Sequence, residues 1–167
     1  MSKSTDKPHA DRRQLQQIIS GLAEGILLLD PDGTIVWAND TALAIHDAKN
    51  LAALGRTAQD YAAAYTLKYR NNHTLAPAQY PVMRVLAGER FSDVVVEATR
   101  PADESFRRML QVRGLVLTGA SEEPESLVLV IQDVTERFSA EERFERTFNT
   151  NPAPAIICSL ADLRYIK

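Results

Sequence analysis

The sequence predicts an α+β fold: a five-stranded antiparallel sheet with helices on one face. Three observations predict it. Two short apolar runs flank the turn signal Pro31-Asp32-Gly33, a helix-rich middle follows, and three further strand-like runs precede a charged helix. Two strands, then helices, then three strands is the order of an α+β layer arrangement.

Each element has a local reason. Residues 1–10 are polar, with Lys, Ser and Pro, and read as a disordered tail. In residues 11–22, Leu15, Ile18, Ile19 and Leu22 fall at i, i+3, i+4 and i+7 on one helical face. Asp11 is suited to cap that helix and Gly21 lies near its end. The stripe has little to bury against within its own length, so it requires a partner. Gly25 to Asp30 and Thr34 to Ala38 read as an antiparallel hairpin, and Asn39 is suited to cap a helix over Asp40 to Ala48. Asn50 to Tyr69 holds helical turns separated by Gly55. Asn71-Asn72-His73 reads as a loop, and Pro77 and Pro81 bracket the entry to a helix over Val82 to Ala87, ended by Gly88. Phe91 to Ala98, Phe106 to Leu117 and Leu127 to Gln132 supply the last three strands. The acidic stretch Ser121 to Ser126 reads as an exposed hairpin turn between the last two.

The final strand passes without a loop through Gln132-Asp133-Val134-Thr135-Glu136-Arg137 into an amphipathic helix over Phe138 to Phe148. A strand that continues into a departing helix is a mechanical output. Thr135 is suited to cap this helix, and Glu136, Glu141 and Glu142 suit its positive end. Phe144 and Phe148 are spaced i, i+4, with Phe138 on or near that face. Two readings stand: a helix folded back onto its own domain, or a parallel coiled-coil segment between two protomers. The Leu15/Ile18/Ile19/Leu22 stripe points the same way as the second, a homodimer.

Bulk properties narrow the function classes. Of 167 residues, 45% are hydrophobic and 25% charged, with a net charge of −3 and scattered Lys and Arg. That argues against a nucleic-acid surface, which needs a basic patch. No apolar stretch approaches the roughly 20 residues of a membrane span, and the N-terminus is no secretory signal. A cytoplasmic location is expected. Cys158 is the single cysteine, which excludes an intrachain disulfide. No G-x-S-x-G, H-E-x-x-H or phosphate loop is present, and no paired Cys or His cluster, so an enzyme is not expected.

Over residues 22 to 137 the order of elements resembles the PAS fold. Glu24-Gly25-Ile26, Asp30-Pro31-Asp32-Gly33 and Ile35-Val36-Trp37-Ala38-Asn39 look like its opening hairpin. Pro81 to Glu89 looks like a helix common in bacterial kinase-linked members, and Asp133-Val134-Thr135-Glu136-Arg137 looks like the exit junction. The resemblance implies a domain over 23–134 and a linker helix over 135–149. It also implies that Phe148 to Ile166 resembles the opening of a second PAS domain, with 150–167 a truncated start that is weakly ordered or held by a neighbouring chain. The expected parent is a multidomain bacterial signalling protein with a C-terminal effector, a sensor histidine kinase or a cyclic-di-GMP synthase or phosphodiesterase.

The resemblance also directs attention to a pocket between sheet and helices. Inward positions are expected at Leu27, Leu29, Trp37, Leu43, Tyr61, Tyr65, Met83, Leu86, Val94, Val96, Leu110, Val112, Val128 and Val130. These residues suit either a small-molecule pocket or a filled core. Haem would need an axial ligand in an apolar pocket, and His73, the nearest candidate, lies in a polar turn. Gly55-Arg56-Thr57-Ala58 stands where light-sensing relatives carry Gly-Arg-x-Cys. Ala58 has no sulfur and Cys158 lies outside the domain, so a cysteinyl-flavin photocycle is excluded here. Asp133 and Thr135 are the expected signal-transfer residues. A ligand-free dimerisation or protein-interaction module is the competing expectation.

Overall fold

The computed structural model describes residues 23–120 and 122–150. They divide into two compact units, one ending at Val134 and one beginning at Thr135. In the first, a six-stranded antiparallel sheet runs in the order β2-β1-β6-β5-β4-β3. Its strands are β1 (Gly25–Leu29), β2 (Ile35–Ala38), β3 (Thr66–Lys68), β4 (Phe91–Arg100), β5 (Asp103–Thr118) and β6 (Pro124–Asp133). One strand exceeds the expected five. It is β3, three residues long, which pairs Leu67 with Ala98 and is too short to carry a periodic signal.

The first hairpin closes as its sequence requires. Gly33 adopts φ +89°, the left-handed conformation that a side chain disfavours, and donates its N–H to the Asp30 carbonyl at 2.9 Å. Asp32 accepts from Thr34 N–H at 2.8 Å. Between β2 and β3 lie helix α1 (Asp40–Ile45), a 3₁₀ turn over Leu51–Leu54 and helix α2 (Ala58–Ala64). Asn39 caps α1 by accepting from Ala42 N–H at 2.9 Å. The same buried side chain also accepts from Ile26 N–H and donates to the Glu24 carbonyl, joining α1 to β1. Helix α1 reaches β1 at Gly25, where an added Cβ would stand 2.8 Å from Ala42 Cα. Thr57 and Asp60 form a reciprocal capping box on α2.

Helix α3 (Pro81–Leu86) starts with proline at its first position, where the missing N–H is no loss. Tyr80, just before it, clasps β3: its hydroxyl accepts from Leu67 N–H and donates to the Tyr65 carbonyl. The core lies between the helices and one sheet face, built from Leu27, Leu29, Val96, Ala98, Phe106, Leu110, Val112, Val116, Leu127, Leu129 and Ile131. Helix α4 (Thr135–Thr150) belongs to the second unit. Thr135 is its first helical residue, so it stands inside the helix rather than one place before it, where a cap residue stands. The expected N-terminal stripe Leu15/Ile18/Ile19/Leu22, the tail and the second-domain start over 151–167 lie outside the described residues.

Candidate functional site

The space between helices and sheet is small. Tyr61, Leu67, Pro81, Val82, Val96, Leu110, Val112, Leu129 and Ile131 enclose a cavity of about 10 Å³, room for a single water. Small-molecule pockets run to about 300–1,000 Å³. In this conformation the interior is packed.

Of the expected pocket residues, Leu27, Leu29, Tyr61, Tyr65, Val96, Leu110 and Val112 are buried in the core, and four of these line the cavity. Leu43, Met83, Leu86 and Val94 pack against the core, partly buried. Trp37, Val128 and Val130 are corrections, since they occupy the opposite sheet face. A bulge in β2 pairs Leu27 with Ala38, Leu28 with Trp37 and Leu29 with Ile35. Ile35 and Ala38 both turn to the core, and Trp37 is left on the far side. In β6 the run Leu127 to Ile131 is apolar on both faces, so alternation carries no sign. Register gives Leu127, Leu129 and Ile131 to the core.

At one end of this interior stands a polar cluster that sequence reasoning did not assemble. His46 ends α1 and is 1% exposed. Its Nδ1 lies 2.7 Å from the Ala42 carbonyl, which can only accept, so Nδ1 carries the proton. Nε2 is then the acceptor for the Tyr61 hydroxyl at 2.6 Å. Burial is the main cause holding the His46 pKa below its ordinary value, with Arg100 acting the same way. The Ala42 hydrogen bond, Asp47 and Asp133 oppose it. Burial also pushes the Tyr61 phenol far up, so the pair is neutral near pH 7. Both rings meet Tyr65 at 5.2–5.5 Å, and Tyr65 in turn meets Phe106 at 5.6 Å.

Two arginines clamp this aromatic group. Arg100 lies 4.4 Å over Phe106 and donates to the His46 carbonyl at 2.5 Å and the Tyr65 hydroxyl at 3.3 Å. Arg108 lies 5.4 Å from the same ring and makes ion pairs with Asp47 (3.3 Å) and Asp133 (3.5 Å). Arg107-Arg108 reads in sequence as a solvated strand end. Arg107 is exposed, but Arg108 shares its strand parity with Phe106 and Leu110 and faces the core side. That parity was the available signal.

Asp133 therefore sits at the end of β6 on the helix-bearing face, opposite Leu110. Val134 follows, its N–H donating to the Met109 carbonyl at 2.8 Å, and α4 begins at Thr135. Within α4, Phe144 and Phe148 stack at 6.1 Å, and Phe144 is 57% exposed. At about 100° per residue, Phe138 stands about a third of a turn away from Phe144. His73, the residue weighed for haem, is exposed and stacks on Tyr69. Among the described residues no helix is long and apolar enough to cross a membrane.

An antiparallel sheet of this order, with helices on one face between its second and fourth strands and a last strand that runs into an exit helix, defines a PAS-type α+β domain. Residues 19–138 match the family described as the PAS fold, and the chain belongs to that family. A search of the curated proteins finds no match. Among solved structures, the PAS domain of an HTR-like protein from Haloarcula marismortui aligns with TM-score 0.51 at 18% identity, covering 75% of this chain and 93% of that one. The PAS domain of BvgS from Bordetella pertussis aligns at 0.51 and 15% identity, with coverages of 85% and 99%. A PAS domain from a two-component sensor histidine kinase aligns at 0.52 and 9%, with coverages of 76% and 99%. At these identities the likeness is one of fold.

Proposed function

We propose that residues 23–134 form a regulatory PAS module of a cytoplasmic, multidomain signal-transduction protein. It has no catalytic activity of its own and acts as a homodimer whose α4 helices carry its state to an effector. The observation that carries this reading is the junction. Strand β6 pairs with β5 from Pro124 to Asp133 and with β1 from Leu127 to Ile131, Asp133 is tied to Arg108 on β5, and two residues later the chain is helical. A rearrangement of the sheet face therefore reaches α4 through a single residue. The parent in this reading is a sensor histidine kinase, with a cyclic-di-GMP synthase or phosphodiesterase as the alternative; a PAS domain from a two-component sensor histidine kinase shares the fold.

Two inputs compete, a small molecule and a protein partner. The one-water cavity favours the second, a ligand-free interaction module, because a small molecule of ordinary size would have to open the core. The dimer reading draws on an apolar row across the outer sheet face. Trp37, Leu28, Val128 and Leu115 stand side by side on four neighbouring strands, and Leu115 is 38% exposed.

Native mass spectrometry of freshly purified protein, with an absorbance spectrum of the same sample, tests the proposal. A dimer without added mass supports the interaction module. A dimer with added mass supports a small-molecule sensor, and the spectrum reveals flavin or haem directly. A monomer across the working concentration range removes the dimer.

A further inference from the structure

We infer that Arg108 is the positioning residue through which the state of the buried His46–Tyr61 pair reaches the exit junction. The inference rests on the reading of α4 as the output.

The geometry begins at His46. Its ring is held at both nitrogens, by the Ala42 carbonyl and the Tyr61 hydroxyl, and its own carbonyl is held by Arg100. With the ring held at two points and the backbone of the same residue at a third, a change in the ring's hydrogen bonding bears on the backbone that carries it. The next residue, Asp47, takes φ +48° and presents its carboxylate to Arg108. Displacement of His46 is thus delivered one residue later as displacement of a charge.

Arg108 receives it in an unusual state. Its Nη2 lies 3.3 Å from Asp47 Oδ2, and its Nε lies 3.5 Å from Asp133 Oδ2. Close charge-assisted bonds from guanidinium run to about 2.7–2.9 Å. Both distances are longer, so the guanidinium lies between two carboxylates on different elements and is closed on neither. The Phe106 ring lies beneath it, its centroid 5.4 Å from the guanidinium carbon. Two arrangements follow: Arg108 closed on Asp47 with Asp133 loosened, or closed on Asp133 with Asp47 loosened. Asp133 is the last residue of β6, one position before Val134 and two before α4. Coupling between sites needs an element with two discrete arrangements that both sites bias, and this shared guanidinium is one. Each pair is one-third to one-half exposed and individually weak, so the role is coupling and not stability.

The test is a double-mutant cycle read by the backbone amide resonances of the full 167-residue protein. Tyr61→Phe keeps the ring and removes the hydroxyl that His46 accepts. In the wild-type background it is expected to displace the amides of His46 and Asp47 and also those of Val134, Thr135 and Glu136. In an Arg108→Met background the same change is expected to displace His46 and Asp47 but to leave 134–136 in place. Asp47→Asn serves as the second background, weakening one partner of Arg108 without touching the arginine. Arg108→Lys, which keeps the charge but loses the fork, is expected to restore only part of the response. If residues 134–136 respond to Tyr61→Phe equally with and without Arg108, the relay is wrong while the output helix stands. If they never respond in the wild-type background, though His46 and Asp47 do, the sheet does not drive α4, and the proposed function falls with the relay.

Discussion

Asn39 shows how much a single polar side chain can hold. It is buried, caps α1, and satisfies an N–H and a carbonyl on the chain entering β1. Asn39→Ala removes the cap, worth about 1 kcal/mol, and takes this partner from the Ile26 N–H and the Glu24 carbonyl at the start of β1. The expected loss is about 2–3 kcal/mol, read as a lower urea midpoint at unchanged slope. His46 sets a pH dependence. Its folded pKa lies below the unfolded value, so between the two the unfolded chain binds more protons. Its share of stability is complete above about pH 6.5 and is lost as pH falls from there toward the folded value. The slope it adds is at most about 1.4 kcal/mol per pH unit. Urea midpoints at pH 7.5 and 5.5 are expected to differ more for wild type than for a His46→Gln variant. Equal differences would mean that His46 titrates alike in both states.

At the scale of elements, the sequence made some features plain and hid others for definite reasons. The hairpin at Asp30 to Gly33, the cap at Asn39 and the strand-to-helix exit were legible, because each depends on residues adjacent in the chain. The face assignment of Trp37 was not, because a one-residue bulge in β2 reverses the parity that alternation assumes. Val128 and Val130 were not, because a strand apolar on both faces leaves its register to its partners. The polar cluster was hidden by distance in the chain, since Arg108 meets Asp47 across 61 residues. Asp133 was singled out from local resemblance, and its ion pair with Arg108 gives the choice a physical partner. With both groups about one-third exposed, Asp133→Ala is expected to lower stability by no more than about 1 kcal/mol. In a longer protein carrying an effector, the same substitution is expected to weaken the response of the output. Unchanged output would argue that Val134 alone suffices as the link.

At the scale of the whole molecule, the outer sheet face is the feature that the described residues of a single domain do not explain. Helices α1 to α3 and the core occupy one face, yet the other carries the row Trp37, Leu28, Val128 and Leu115, with Leu117 two residues further along β5 and 50% exposed. Solvated antiparallel faces ordinarily alternate to polar residues, as Arg113, Gln111 and Gln132 do farther along this same face. The exposed end of the row is Leu115 and Leu117, Val128 being only 9% exposed; exposed apolar surface tends to mark a contact, and a row across four strands suits the isologous contact of a twofold dimer. Leu115→Glu places a charge in that row without touching the core, because residue 115 points away from it. A dimer built on this face is then expected to lose its association, with native mass spectra shifting to monomer while the thermal melt of the domain stays close to wild type. A variant that remains fully dimeric would move the contact to the helices instead, where the stacked Phe144 and Phe148 would be the residues to charge next.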